Sequence, residues 1–461
     1  MKKLLLIFSL FLLALATVWA LFNTLSLFSK QKQIAAKPLT YQLDSAAVEK
    51  LCKAIRYETT AGKDSQQLGE FERFHTFLQQ NFPNVHNSSG IKWINIDQTG
   101  LLYRWKGSNN SNKSNLWLAA QDVAEPDLKT IPQWRFNPFV GKHENGIIYG
   151  AGSNQHKFCL LAILQTWENA AKSGFQPKND LYLFAPADFY QPISTQTKTA
   201  ASLFYTQDLK FQYVLVAENF IQDENNPFAG KNIAYIGTHQ KNTLNFELQT
   251  NDSSTLSDFY NQLNRKEAYL GVKEAGSQQL INYLAPEMSF GKRFLFANPG
   301  FFSYFIKRQL LNDSFLLNAA QIEVSIQTKT TNSAEIILQL PQNIDFNQYR
   351  QQWASDSSVY QISTVEKQIF ANVASTSSWE WGLLERVIKE TNPNTIIAPS
   401  PAWRGNSGGY FQLISPNVYY FSPVELSKDD FNRYAQHIDE HISVENYTKM
   451  VAFYSGLLQA N

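Results

Sequence analysis

The sequence predicts an α/β fold with a mixed, largely parallel sheet, interrupted by an inserted α+β lid and preceded by one apolar helix. Three observations predict it. Runs of core-type residues at Leu116 to Ala120, Asp180 to Ala185 and Phe211 to Ala217 are separated by helix-length segments. From about 231 to 362 the texture changes to strands with one polar face, which suits a small insert. Leu4 to Phe28 carries no charged side chain. The expected organisation is an anchor over 1–30, a linker over 31–40, a first α/β part over 41–230, the insert over 231–362 and a second α/β part over 363–461.

A chain of 461 residues exceeds one ordinary core, so more than one domain is expected. Hydrophobic residues make up 44% and charged ones 17%, a globular balance. The net charge is +1, and no basic patch interleaves with aromatics, which argues against a nucleic-acid surface. Cys52 and Cys159 form neither a disulfide framework nor a zinc ribbon and read as two unpaired, partly buried thiols.

The Leu4 to Phe28 run is long enough to cross about 30 Å of hydrocarbon as a helix. Lys2 and Lys3 precede it and favour a cytoplasmic N-terminus. An uncleaved anchor and a signal peptide cut after Val18-Trp19-Ala20 are the two readings, and both place the globular part in a periplasm or outside the cell. Residues 43–57 read as a helix capped by Asp44 or Ser45, and 67–81 as a second, with Leu68, Phe71, Phe74, Phe77 and Leu78 at helical spacing. Lys92 to Ile96 and Leu101 to Trp105 read as strands joined by the turn Asp97 to Gly100. In the insert, strands are expected at Ile233 to Ile236, Leu244 to Leu248, Ile322 to Ile326 and Ala334 to Leu340, with helices at 255–263 and 345–354. Beyond it come a helix at 378–391, strands at Thr395 to Ala398 and Asn417 to Phe421, and a final helix at 443–459. The run Phe301 to Phe305 reads as packing, with an acyl-chain groove as its functional alternative.

Ligands in such sheets bind beyond the carboxyl ends of the strands. The most specific stretch is Asn145-Gly146-Ile147-Ile148-Tyr149-Gly150-Ala151-Gly152-Ser153-Asn154-Gln155-His156-Lys157, a strand, a Gly-x-Gly turn and a helix start. It resembles the Asp-Gly-x-Ile/Leu-Tyr-Gly-x-Gly-x-x-Asp-x-Lys signature of the two-zinc aminoacylase and carboxypeptidase family. The resemblance covers about 38–461, with Asp430 to Val444 the next most specific segment, and is nearest to the carboxypeptidase S and N-fatty-acyl-amino-acid synthase/hydrolase subgroup. It implies a zinc-peptidase-like domain, an inserted lid of the dimerisation type, and homodimer or heterodimer pairing through that lid. It also implies two zinc ions, which lower the pKa of bound water from about 15.7 to about 7.

Carried over position by position, the family's ligands are missing. Its His-x-Asp motif falls on Ala120-Gln121-Asp122, leaving Asp122 as a vestigial acid. The bridging Asp is Gln155. The Glu-Glu pair falls on Phe189, in place of the general base, and Tyr190, in place of a ligand, with Asp188 beside them. The next carboxylate is Ala217, followed by Glu218. The last His is Gln436, or His437 if the register slips by one. His437 and His441 are four apart, a spacing that would put them on one helix face. In Gly-Asn-x-x-x-Arg, whose Arg holds a substrate carboxylate, Tyr410 replaces the Arg, so Arg404, Asn406, Tyr410 and Glu218 are the candidate substrate-binding residues. Leu256 takes the place of a lid His. No cofactor is therefore expected. The expected function is a membrane-anchored, extracytoplasmic pseudoenzyme with a binding or scaffolding role. The alternatives are an amide hydrolase using Asp122, His156, Asp188, Glu218 or His437 at a displaced site, and a binding module for acylated amino acids.

Overall fold

The structure, a computed structural model, describes residues 2–34, 41–61, 64–109, 113–154, 156–250, 253–263, 268–347, 349, 360–370, 372–404 and 408–461. A ten-stranded sheet forms the main body. Its centre is four parallel strands in the order Asp180–Ala185, Ser114–Leu118, Phe211–Val216 and Val418–Tyr420. These strands are apolar along almost their whole length because helices cover both faces. One face carries helices His156–Lys172 and Val444–Ala460, and the other carries Thr195–Thr206. The antiparallel hairpin Ile91–Ile96 and Gly100–Trp105 closes one side. His156–Lys172 is buried from His156 to Glu168, as a helix that is apolar nearly all round must be.

The insert differs from its expected bounds. Ile233–His239 lies in the large sheet, parallel to Ile396–Pro401 and antiparallel to Ile221–Gln222. Its residues from Ile233 to Thr238 are all buried, which an outlying one-faced strand would not require. The four-stranded antiparallel lid sheet begins at Asn242 and runs on to Gln368, in the order Glu323–Thr330, Ser333–Leu340, Asn242–Thr250 and Tyr360–Gln368. Leu244, Phe246, Leu338 and Phe259 build a separate small core there. Leu256 packs against that core. Helices between 275 and 319 belong to the main core through Leu280, Ile281, Leu284, Ile306 and Phe315. The helix expected at 345–354 lies mostly outside the described residues.

The N-terminal helix is Lys2–Leu25 and is long and apolar enough to cross a membrane. Cys52 and Cys159 are both buried and unbridged. Phe301, Tyr304 and Phe305, expected to pack, are instead exposed on helix Pro299–Leu311. That helix buries Ile306 and Leu310 instead.

Candidate functional site

The ends of the parallel strands deliver Ala120–Asp122, Ala187–Tyr190 and Ala217–Asn219 to one region, as the sheet topology dictates. The signature stretch joins them through a second small sheet. Lys142–Glu144 and Ile147–Tyr149 form a hairpin, with Asn145 and Gly146 both at positive φ, and His441–Ser443 adds a third strand. The turn that follows needs its glycines. Gly152 sits at φ +85°, and a Cβ there would lie 2.6 Å from Val123 Cγ1. Gly150 N donates to the Glu440 carbonyl at 3.0 Å, and Gly152 N donates to Glu440 Oε2 at 2.7 Å.

Glu440 starts a chain of hydrogen bonds into the cleft. Its Oε1 lies 3.3 Å from His437 Nδ1, and Arg404 Nη2 lies 2.7 Å from His437 Nε2. Arginine can only donate, so Nε2 accepts and Nδ1 carries the ring proton toward Glu440. Burial lowers the His437 pKa, and the adjacent Arg404 lowers it further. The ring is therefore neutral near pH 7. The Arg404 guanidinium is caged by aromatic faces, 4.3 Å from the Trp403 ring centroid, 4.9 Å from Tyr190 and 5.8 Å from Tyr434. Asn219 holds this loop by accepting from Trp403 N at 2.9 Å and donating to the Pro401 carbonyl at 3.1 Å. Arg404 forms no ion pair among the described residues. It lines a cleft of about 600 Å³ between the main body and the lid, together with Tyr190, His437, Glu323 and Gln339.

Of the two residues offered for the family's last His, His437 lines the cleft and Gln436 is exposed. The reason is local: His437 ends helix Lys428–Gln436 in the left-handed conformation, at φ 53°. The same cap separates it from His441, which is in a strand beside Tyr149 and 3.4 Å from Asp430. The two histidines therefore do not share a helix face.

Asp122 is buried and accepts from Tyr190 N at 2.9 Å, while its Oδ1 has no partner. Burial pushes its carboxyl up to about 8. It tethers the loop bearing Phe189 and Tyr190. Asp188 caps helix Thr195–Thr206, accepting from Ser194 Oγ at 2.5 Å, Thr195 Oγ1 at 3.0 Å and Gln196 N at 3.1 Å. His156 is buried against Phe189, ring centroids 3.9 Å apart, and burial lowers its pKa to about 3. Glu218 is buried with Oε1 unpartnered, and burial raises it to about 8 against the pull of Arg404. Tyr410 packs on Phe370, centroids 5.7 Å apart, and is not among the residues lining this cleft. Asn406 and Gln155 lie outside the described residues. Among the described residues no three of these side chains form a group that could hold a metal ion, while His156 and His437 both lie against the Tyr190 ring, centroids 6.1 and 5.7 Å away.

Glu440 and the Trp403–Tyr434 cage were not read from the sequence. Glu440 sits between Asp439 and His441 and is 288 residues from the turn it serves, so the sequence carries no local signal for that contact.

The chain matches the model of peptidase family M20/M25/M40 over residues 122–460. It is 26% identical to a probable carboxypeptidase S-like 2 of Dictyostelium discoideum, over 95% of this chain and 90% of that one. It is 22% identical to the human N-fatty-acyl-amino acid synthase/hydrolase PM20D1, over 94% and 89%. Human carnosine dipeptidase 1 shares the fold at TM-score 0.60 and 12% identity, over 90% of this chain and 96% of that one. The M20 family metallo-carboxypeptidase Sso-CP2 of Sulfolobus solfataricus does so at 0.57 and 12%, over 90% and 99%. These matches correct the expectation of no cofactor: members of this family are metal-dependent peptidases. The donor set at the positions read from the motif resemblance does not fit a two-ion arrangement. Ala120 and Ala217 end in methyl groups, Tyr190 presents a ring, and among the described residues no three His, Cys, Asp or Glu side chains are grouped to hold a metal ion. No step below is routed through a metal.

Proposed function

The chain belongs to peptidase family M20/M25/M40, and from that premise we propose that it is a pseudoenzyme whose cleft binds an acylated amino acid or peptide by its carboxylate without hydrolysing it. The observation that carries this reading is Arg404. A guanidinium held by His437 and three aromatic rings, with no ion-pair partner among the described residues, lines a cleft large enough for a small ligand. A planar cation in that setting selects a planar anion, and bidentate pairing with a carboxylate matches its geometry. The ligand class is taken from the relatives, which are named as carboxypeptidases and as an N-fatty-acyl-amino acid synthase/hydrolase.

The expected absence of turnover rests on Phe189. Phe189, which the motif resemblance puts where the family has its general base, is buried with its ring tilted against His156. A phenyl ring cannot take a proton, and loss of a general base alone costs about 10²–10⁴-fold. In the same reading Lys2–Leu25 is an uncleaved anchor, with Lys2 and Lys3 on the cytoplasmic side and the globular part on the other. Calorimetric titration of the purified chain with N-acyl amino acids and dipeptides, as free acids and as methyl esters, tests the binding. Saturable binding of the acids with the ester markedly weaker is expected. Equal affinity for acid and ester contradicts the reading.

A further inference from the structure

The N-terminal helix does not hang from the globular body on a loose tether. Its last turns are docked: Ala20 and Thr24 are buried, and Asn298 Nδ2 donates to the Ala20 carbonyl at 3.1 Å. Asn23 Nδ2 donates back to Asn298 Oδ1 at 3.0 Å. The segment that follows is fastened as well. Ser29 bonds Glu287, and the Gln31 amide pairs with both backbone groups of Ile397, at 2.9 and 2.8 Å. Lys32 N donates to Glu385 at 3.0 Å, and Lys389 Nζ donates to the Lys32 carbonyl at 2.8 Å. The helix axis is thus fixed relative to the domain.

Length then sets how deep the domain sits. At about 1.5 Å per residue the undocked stretch Leu4–Trp19 spans about 24 Å, less than the about 30 Å of a hydrocarbon core. The docked turns, whose Leu21, Phe22 and Leu25 face outward, must complete the span and take Asn298 to the membrane edge with them. Helix Pro299–Leu311 starts at that residue. Its outer face exposes Phe301 by 61%, Tyr304 by 69% and Phe305 by 58%, and Phe290, which starts the preceding helix Phe290–Phe296, is 58% exposed. Exposed Lys307 and Arg308 follow on the same helix. Aromatic rings beside basic side chains, on a helix with a buried opposite face, are the composition of a segment lying in a bilayer interface.

We propose that Phe290, Phe301, Tyr304 and Phe305 enter the outer interface of the bilayer that the N-terminal helix crosses, giving the domain a second, peripheral membrane contact and a fixed orientation. The proposal rests on the anchor reading above, and its test separates the two. The full-length chain carrying Tyr304→Cys, or in a second sample Phe301→Cys, is labelled with an environment-sensitive fluorophore and reconstituted into phosphatidylcholine and phosphatidylglycerol vesicles. Cys52 and Cys159 are buried, and Leu413→Cys, at an equally exposed position, is the control. Resistance to alkaline carbonate reports the anchor. The expected result is resistance, with blue-shifted emission and loss of intensity to lipids quencher-labelled near the headgroup at 301 and 304 but not at 413. Resistance with 301 and 304 behaving like 413 overturns the proposal and leaves the anchor standing. Release by carbonate overturns both. A blue shift that depends on protein concentration and ignores the lipid quencher assigns the face to a second copy and also overturns it.

Discussion

Replacing Arg404 with alanine removes the cleft's preference for a free carboxylate. Two unit charges 4 Å apart attract by about 4 kcal/mol at an effective dielectric of about 20. Arg404 is only partly buried, so solvent reduces this toward the about 1.5–3 kcal/mol typical of a hydrogen bond to a charged group. The native protein should then favour an N-acyl amino acid over its methyl ester by about 2–3 kcal/mol, roughly 30- to 150-fold in affinity. In Arg404→Ala the two ligands should differ by less than about 0.5 kcal/mol, with affinity for the ester little changed. Arg404→Lys should fall between, because an ammonium keeps the charge but loses the planar fork and much of the stacking on Trp403 and Tyr190. Calorimetric titration of both ligands against all three proteins gives the full cycle. Retained ester binding shows that the variant has folded around an intact cleft. A variant that still prefers the acid by tenfold or more would falsify the assignment of the anion to Arg404.

Three further perturbations follow from the same geometry. Gly152→Ala places a Cβ 2.6 Å from Val123 Cγ1 at a positive φ and should cost about 2–4 kcal/mol in urea denaturation, whereas a loss below about 1 kcal/mol would mean that the turn relaxes freely. Asp122 has a folded-state pKa of about 8, above the ordinary carboxylate value of about 4. The native state therefore holds an extra proton between those values, so this contribution to stability is present in acid and lost as pH rises toward 8, by at most about 1.4 kcal/mol per pH unit. Asp122→Asn should remove that part of the decline, and equal slopes in both proteins between about pH 5 and 8 would contradict it. Gln31→Ala deletes both bonds to Ile397, so exchange of the Ile397 amide with deuterium should accelerate by about tenfold, and unchanged protection would show that the strand edge is held by something else.

Much of the fold was legible because its signals are local. Asp44 caps a helix where the sequence placed a cap, the helix expected at 378–391 runs from Trp379 to Thr391, and the buried strands around Leu116, Leu183 and Val214 announced a covered parallel sheet. What failed depended on long-range pairing. Ile233 to Ile236 was assigned to the lid by position, but only the distant Ile396–Pro401 reveals that it belongs to the large sheet. The site was half legible. Gly150 and Gly152 are required by backbone geometry, so their spacing stands out in a bare sequence. Whether Gln436 or His437 enters the cleft turns on one left-handed residue at a helix end, which letter spacing does not encode. Tyr410 shows a related limit, since a matched motif letter places a residue along the chain and says nothing about which cavity it lines.

Carboxylate recognition without hydrolysis is tested most directly under single-turnover conditions, with the full-length chain in excess over an N-acyl amino acid, zinc supplied, and products counted by mass spectrometry. The ligand should remain intact over hours while bound, and Arg404→Ala should release it unchanged. Free amino acid and fatty acid appearing at a rate that a chelator abolishes would show that the chain assembles a working metal centre and is a hydrolase after all.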